Sequence, residues 1–379
     1  MWGDYYGEGL RRRGLEIMAE LGPPAGEPLF AQFARRAKSG NPASDQDVQN
    51  IVDTVNQLDA SDYPPEMKLD ADLWAIDQIL PYKFGHPYPS SPATLALPAL
   101  VEKWRVNFRA LVAEKLPHAY LFGLGSCLFF TLQNDENLLT LAAAGIDRDF
   151  READPDSATV IALDGDYLVQ WAWSARGGGW ASDVTSDGWK FFGERLAKAQ
   201  ALLEPAWDKH PDEAGIALAM INVELGQGQG RERMELWFGR AVKADPDSDS
   251  AYKCKAWYLQ PRWYGSLDDE IAFGQQCAAG GNWAGRIPLV FPHAIADIAD
   301  QDPDVYQDPA LWDKLEAVYR TYLERYPDAT LYRTFFAKHA YDGGHRAIAL
   351  EQFKILGDNW DREVLSESEH ATIADALKL

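Results

Sequence analysis

From residue 100 onwards the apolar positions recur at helical steps. Leu100, Trp104, Phe108 and Leu111 stand 4, 4 and 3 residues apart, with Val101 and Val112 beside them. That spacing makes one apolar helix face. Glu102, Lys103, Arg105 and Glu114 fall largely on the other side. Leu311, Leu315, Val318 and Tyr322 repeat the pattern near the end of the chain. The stretch ATVIALDGDYLVQWAW resembles a hairpin turning at Asp164-Gly165. Val160, Leu163, Tyr167 and Trp171 nevertheless follow a helical stripe, and the spacing predicts a helix. The longest apolar run, Ala119 to Leu132, is shorter than the ~20 residues that span a bilayer, so it predicts buried core. Clean period-two strands are absent from the pattern.

The N-terminal third is less regular. Pro81, Pro87, Pro89, Pro92 and Pro98 crowd one segment and argue against a continuous helix there. The expected organisation is an irregular helical region over 1–98, closed by a Pro-rich loop at 81–98. A helical-repeat array over 99–379 follows.

The repeat is visible as a recurring Pro-Asp. It stands at Pro155, Pro211, Pro246 and Pro327, where one helix ends and another begins. The step from Pro211 to Pro246 is 35 residues, close to the ~34-residue period of tetratricopeptide repeats. Small residues let paired helices approach and large ones fill the grooves between repeats. Ala199, Leu203, Ala206 and Pro211 match four such positions, and Phe238, Ala241 and Pro246 match three. Ala337, Ala340, Ala349 and Phe353 match in the last unit, around a turn at Gly343-Gly344. Tyr252, Ala256 and Leu259 have the right spacing, but GGNWAGRIPLVFPH departs from it, and the step from Pro246 to Pro327 is 81. The clearest repeats are therefore 187–260 and 328–363. The predicted fold is all-α: stacked antiparallel helix pairs in a degenerate, tetratricopeptide-like array.

The segments ARGGGWASDVTSDGWKFFGERLAKAQALLEPAW and AWYLQPRWYGSLDDEIAF carry recurring marks: Ala175-Arg176-Gly177, Val184-Thr185, and Pro261 to Ser266. Over roughly residues 155–300 the chain resembles an uncharacterised bacterial domain-of-unknown-function family with tetratricopeptide-like helices. The resemblance implies an α-helical repeat fold and no activity.

Charge narrows the function classes. Among 379 residues, 58 Asp and Glu outweigh 36 Lys and Arg, for a net charge of −22. Such a chain repels nucleic acid and anionic membranes, and a steered partner would be basic. The same acidity also keeps an aromatic-rich chain with 14 Trp soluble. Cys127, Cys254 and Cys277 form neither a disulfide framework nor a zinc spacing. The N-terminal stretch develops no apolar core of a secretory signal, since Glu16, Glu20 and Gly22-Pro23-Pro24 interrupt it. A cytoplasmic protein is expected, with no cofactor, no nucleic acid and no membrane partner.

No catalytic or metal signature emerges. Gly226 to Arg231 lacks the preceding strand and following Lys of a phosphate loop, and reads as a turn between helices. Asp245, Asp247 and Asp249 alternate as in a calcium loop, but Ser250 and Ala256 occupy the positions of its Gly and Glu. Asp300, Asp302 and Asp304 fail the same test. Both sets read as capping turns. His293 with Asp297, and Glu367 with His370, are isolated pairs without further ligands. Ser126 lies in apolar sequence and reads as a buried small residue.

Three surfaces remain as binding candidates. Trp171, Trp173, Trp180 and Trp189 surround Arg176 and three glycines, and Arg262-Trp263-Tyr264 form a second aromatic group. Trp and Arg dominate interface hot spots. They are also ordinary fillers of inter-repeat grooves and ordinary C-terminal caps. The third surface is acidic. Residues 287–313 hold six Asp, residues 39–67 hold six acids, and neither stretch contains Lys or Arg. The expected function is a non-catalytic protein-interaction module for a basic protein or peptide. Its sharper form is an inhibitor or immunity protein. The rivals are an enzyme or accessory subunit with a site assembled across helices, and a structural assembly component.

Overall fold

The structure, a computed structural model, describes residues 44–80, 92–155, 157–362 and 364–378. Among the described residues the chain forms sixteen α-helices, three short 3-10 turns and no strand. The fold is all-α, built from antiparallel helix pairs packed on one another. It divides into two compact units, Met1–Asp245 and Pro246–Leu379. The division falls inside the 187–260 repeat stretch.

The described part of the first unit runs α1 (Asp45–Asp59), α2 (Pro65–Ile79), α3 (Pro92–Ala113), α4 (His118–Leu132), α5 (Glu136–Ala153), α6 (Ala158–Arg176), α7 (Ser186–Lys209), α8 (Ala214–Gln227) and α9 (Arg231–Ala244). The face read on α3 is buried: Leu100, Trp104, Phe108 and Leu111 are each at most 1% exposed. Trp104 stacks on Phe108 at 4.8 Å, and Phe108 meets Phe150 of α5 at 5.7 Å. The apolar run 119–132 is α4, packed inside the unit, and Ser126 within it is fully buried. Among the described residues no helix is long and apolar enough to cross a membrane.

Two local expectations are corrected. Residues 92–98 are helix, not loop: α3 starts at Pro92 and carries Pro98 inside it. Proline suits a first helical position such as that of Pro92, whereas Pro98, in the second turn, forgoes one ladder bond that the buried face of the helix offsets. The rest of the proline segment, 81–91, lies outside the described residues. Arg105 is not on a solvent face. It is 8% exposed and pairs with Asp149 of α5 and with Glu102. An ionic partner on a neighbouring helix reverses what the amphipathic pattern assigns to a charged residue.

The Pro-Asp signal has a common geometry. His210, Asp245 and Tyr326 end their helices at φ −132°, −137° and −130°, each just before a proline. A residue preceding proline is pushed out of the α region, so the helix stops there. The proline then takes the second position of a tight turn, and the next helix begins two residues beyond the Asp. Glu213 N donates to His210 O at 3.1 Å, and Ala329 N donates to Tyr326 O at 3.1 Å. Asp302-Pro303-Asp304 repeats the turn, with Val305 N donating to Asp302 O at 3.1 Å.

The second unit runs α10 (Asp249–Tyr258), α11 (Leu267–Gly280), α12 (Val290–Ala299), α13 (Pro309–Arg325), α14 (Thr330–Asp342), α15 (Arg346–Leu356) and α16 (Glu367–Leu377). Its core is aromatic: Phe291, Trp312, Tyr319, Phe336 and Trp360 are buried together. The small repeat positions Ala337, Ala340 and Ala349 are fully buried. In the first unit Ala199, Leu203 and Ala241 are buried likewise, but Trp237, 2% exposed, fills the groove rather than the half-buried Phe238.

Candidate functional site

In the first unit the residues after α6 form an aromatic surface. Gly177, at φ +74°, ends the helix in a conformation that favours glycine. The Arg176 guanidinium donates to the carbonyls of Gly177 and Gly179 at 2.9 and 3.0 Å. It lies 5.6 Å from the ring centroids of both Trp173 and Trp189. Arg176 therefore fastens the glycine turn while bridging two indoles. The chain then passes through Trp180, whose backbone N–H donates to Asp183 at 3.1 Å, and enters α7. Thr185 caps α7 by accepting from Gly188 N at 3.0 Å.

This local route leaves large rings in solvent. Trp180 is 78% exposed, Trp189 42% and Phe191 43%. Trp171 behaves differently. Arg195 of α7 stacks on its ring at 3.7 Å and donates to its carbonyl at 2.6 Å. Its indole N–H donates to Glu136 at 2.6 Å, and Tyr167 stacks on it at 5.9 Å. Of the first aromatic group, Trp180 presents a free ring and Trp171 is committed to partners within the chain. Burial pulls the Arg195 and Arg176 guanidinium pKa values down from the usual arginine value.

The second aromatic group sits on the loop between α10 and α11. Trp263 N donates to Gln260 O at 2.9 Å, and Tyr264 N to Tyr258 O at 3.2 Å, so the loop folds back over the end of α10. Gly265 permits this: a Cβ there would stand 2.0 Å from the Leu259 carbonyl oxygen. Arg262 is exposed, with its guanidinium 4.0 Å over the Trp257 ring. Trp263 is half-buried at 6.4 Å from Trp257, and Tyr264, 43% exposed, leans on Tyr258 at 4.7 Å.

Behind Arg262 lies a polar chain that the sequence did not announce. Arg262 Nε donates to Gln260 Oε1 at 2.7 Å, and Gln260 Nε2 donates to Asp297 Oδ2 of α12 at 2.7 Å. Glu270 of α11, 1% exposed, shares the Gln260 side chain. Burial and then the Asp297 charge push the Glu270 carboxyl up to about 7. Burial above all, with Asp300 adding, raises Asp297 to about 6. Glu270 follows Asp268 and Asp269 in an acidic helix start and Gln260 stands two residues before Arg262, so nothing local sets them apart, and only the fold brings them to Asp297.

Asp300, Asp302 and Asp304 are exposed. Asp302 accepts from Asp304 N at 3.2 Å, as a capping turn requires, and Asp304 accepts from Gln307 at 2.8 Å. Asp300 is not an N-cap: it closes the C-terminal end of α12, where a negative charge meets the negative end of the helix dipole. The other cation-free stretch is partly neutralised, because Lys103 pairs with Asp59 at 2.6 Å.

Among the described residues no three metal-ligating side chains come together. The His293 ring lies on Tyr332, and His370 stacks on Trp360 at 3.6 Å. The glycine-rich stretch from Gly226 to Arg231 ends α8, turns at 228–230 with Gly228 left-handed, and starts α9. No protein-family model matches the chain, and no curated protein is detectably similar to it.

Proposed function

We propose that the chain is a non-catalytic protein-interaction module that holds a basic protein or peptide, as an inhibitor, immunity protein or adaptor does. On this reading its helix pairs are of the tetratricopeptide-like family that residues 155–300 resemble, and it works in a reducing cytoplasm with its three buried cysteines outside any disulfide.

The observation that carries the reading is the exposure of Trp180, Trp189 and Phe191 along one short stretch. Core packing does not account for a 78% exposed tryptophan. Exposed aromatic surface of this kind is the usual content of a protein interface. Asp183 and Asp187 beside it, the exposed acids of 300–304 and the net charge of −22 supply the attraction for a basic partner.

The test is affinity capture from the native host with the wild-type chain and with a Trp180→Ala/Trp189→Ala variant. A single stoichiometric basic protein, retained by the first and lost by the second, is the expected result. Equal retention by both, or co-purification of a metabolite instead of a protein, would overturn the reading.

A further inference from the structure

The carboxylates behind Arg262 lack what buried carboxylates normally have. Glu270 is 1% exposed, and its Oε1 has no hydrogen-bond partner among the described residues. A buried carboxylate without a cation or a full set of donors is costly when it is charged. Its neighbour Asp297 is half-buried and receives one hydrogen bond, from Gln260. Arg262 is near enough to lower the pKa of both carboxyls. It is nevertheless anchored to Gln260 Oε1 at 2.7 Å and to the Trp257 face, and forms no ion pair with either. Asp300 adds a third negative charge at the rim. The arrangement is a pair of carboxylates, partly solvent-accessible through Asp297, beside an arginine that shows how a guanidinium rests on this aromatic wall.

We propose that Glu270 and Asp297 form the floor of a site for the guanidinium or ammonium group of a basic peptide side chain, with Gln260 holding Asp297 in place and Arg262 flanking the entrance. This deepens the interaction reading and rests on it. A bare metal ion fits less well, since three ligating side chains do not converge there. A cation that brings its own N–H donors needs only the two carboxylates and satisfies the orphaned Glu270 oxygen. Arginine is favoured because its fork reaches two acceptors at once and stacks on indole.

The probe is L-argininamide, followed on the full chain by titration of the Gln260 side-chain amide signal in NMR spectra. L-citrullinamide serves as the uncharged mimic. Saturable binding of argininamide and none of citrullinamide is expected. Glu270→Gln and Asp297→Asn should each weaken it about ten-fold or more. Arg262→Ala should strengthen it several-fold by removing a like charge at the entrance; a merely structural arginine would give a loss or no change. Glu270→Gln removes a buried ionisable group while keeping its shape, so it should fold with an unchanged or higher Tm. Asp302→Asn with Asp304→Asn is the control that removes exposed charge of the same sign. Weakening by this control equal to that of the site variants would overturn the proposal, as would no binding of argininamide at all. Either result leaves the captured partner and its dependence on Trp180 standing, so failure of the site is distinguishable from failure of the interaction reading.

Discussion

Trp180 and Trp171 stand nine residues apart in sequence and differ in what their rings do. Trp180 is 78% exposed, so Trp180→Ala should change stability by less than about 0.5 kcal/mol in chemical denaturation. Against a captured partner the same change should cost about 2 kcal/mol or more, mainly as faster dissociation. A normal off-rate would remove Trp180 from the interface. Trp171 instead anchors α6 to α7 through Arg195, whose side chain is 12% exposed. Arg195→Lys keeps the charge but loses the flat stacking and the fork to the Trp171 carbonyl. A loss of roughly 1 kcal/mol in urea denaturation is expected. Their clustering along the sequence around three glycines pointed to both tryptophans and to Arg176. It did not reveal Arg195, because a residue 24 positions along shares a site with Trp171 only after two helices pair. Glu270 and Gln260 were invisible for the same reason.

Helices and their ends were the most legible level. The 3-and-4 spacing marked α3 and α13 correctly because one face of each is buried, and the Pro-Asp turns marked the breaks because the residue before proline leaves the α region. What the pattern could not supply was tertiary override. Pro98 is carried inside α3, and Arg105 is buried because Asp149 of another helix pairs with it. The small repeat positions make a direct test. Ala199 and Ala349 are fully buried, so Ala→Leu at either should overpack a helix crossing and destabilise by about 1–3 kcal/mol. An unchanged melting temperature for both would remove the repeat register.

For the whole molecule, charge sets behaviour in pH and in binding. Asp72 of α2 is fully buried beside Asp59, and burial first, then the Asp59 charge, pushes its carboxyl up to about 8 despite Asn107, Lys103 and Lys68. Glu270 stands at about 7. Both keep their protons to higher pH in the folded than in the unfolded chain, so stability falls as pH rises through that range. One such proton is worth at most about 1.4 kcal/mol per pH unit. His339 is driven down to about 3 by burial, and is neutral in both states above its ordinary 6.5. It leaves the window from 6.5 to 8 to the carboxyls. A lower Tm at pH 8 than at pH 6.5 is expected, with Asp72→Asn removing the larger part of the slope; a flat profile would contradict the burial of Asp72 as a neutral acid. Carboxylates held low by arginine, such as Glu351 beside Arg320, lose their contribution only as pH falls through the acid range. The same acidity, −22 in all, governs association. The most direct measurement of the interaction account is surface-plasmon kinetics of the captured partner at two salt concentrations, with the wild-type chain and an Asp300→Asn/Asp302→Asn/Asp304→Asn variant. The account predicts an association rate that drops steeply with salt, because screening shortens to ~8 Å at physiological ionic strength, and drops again in the variant while its fold loses little beyond one cap. Salt-independent association, or a partner as acidic as this chain, would contradict it.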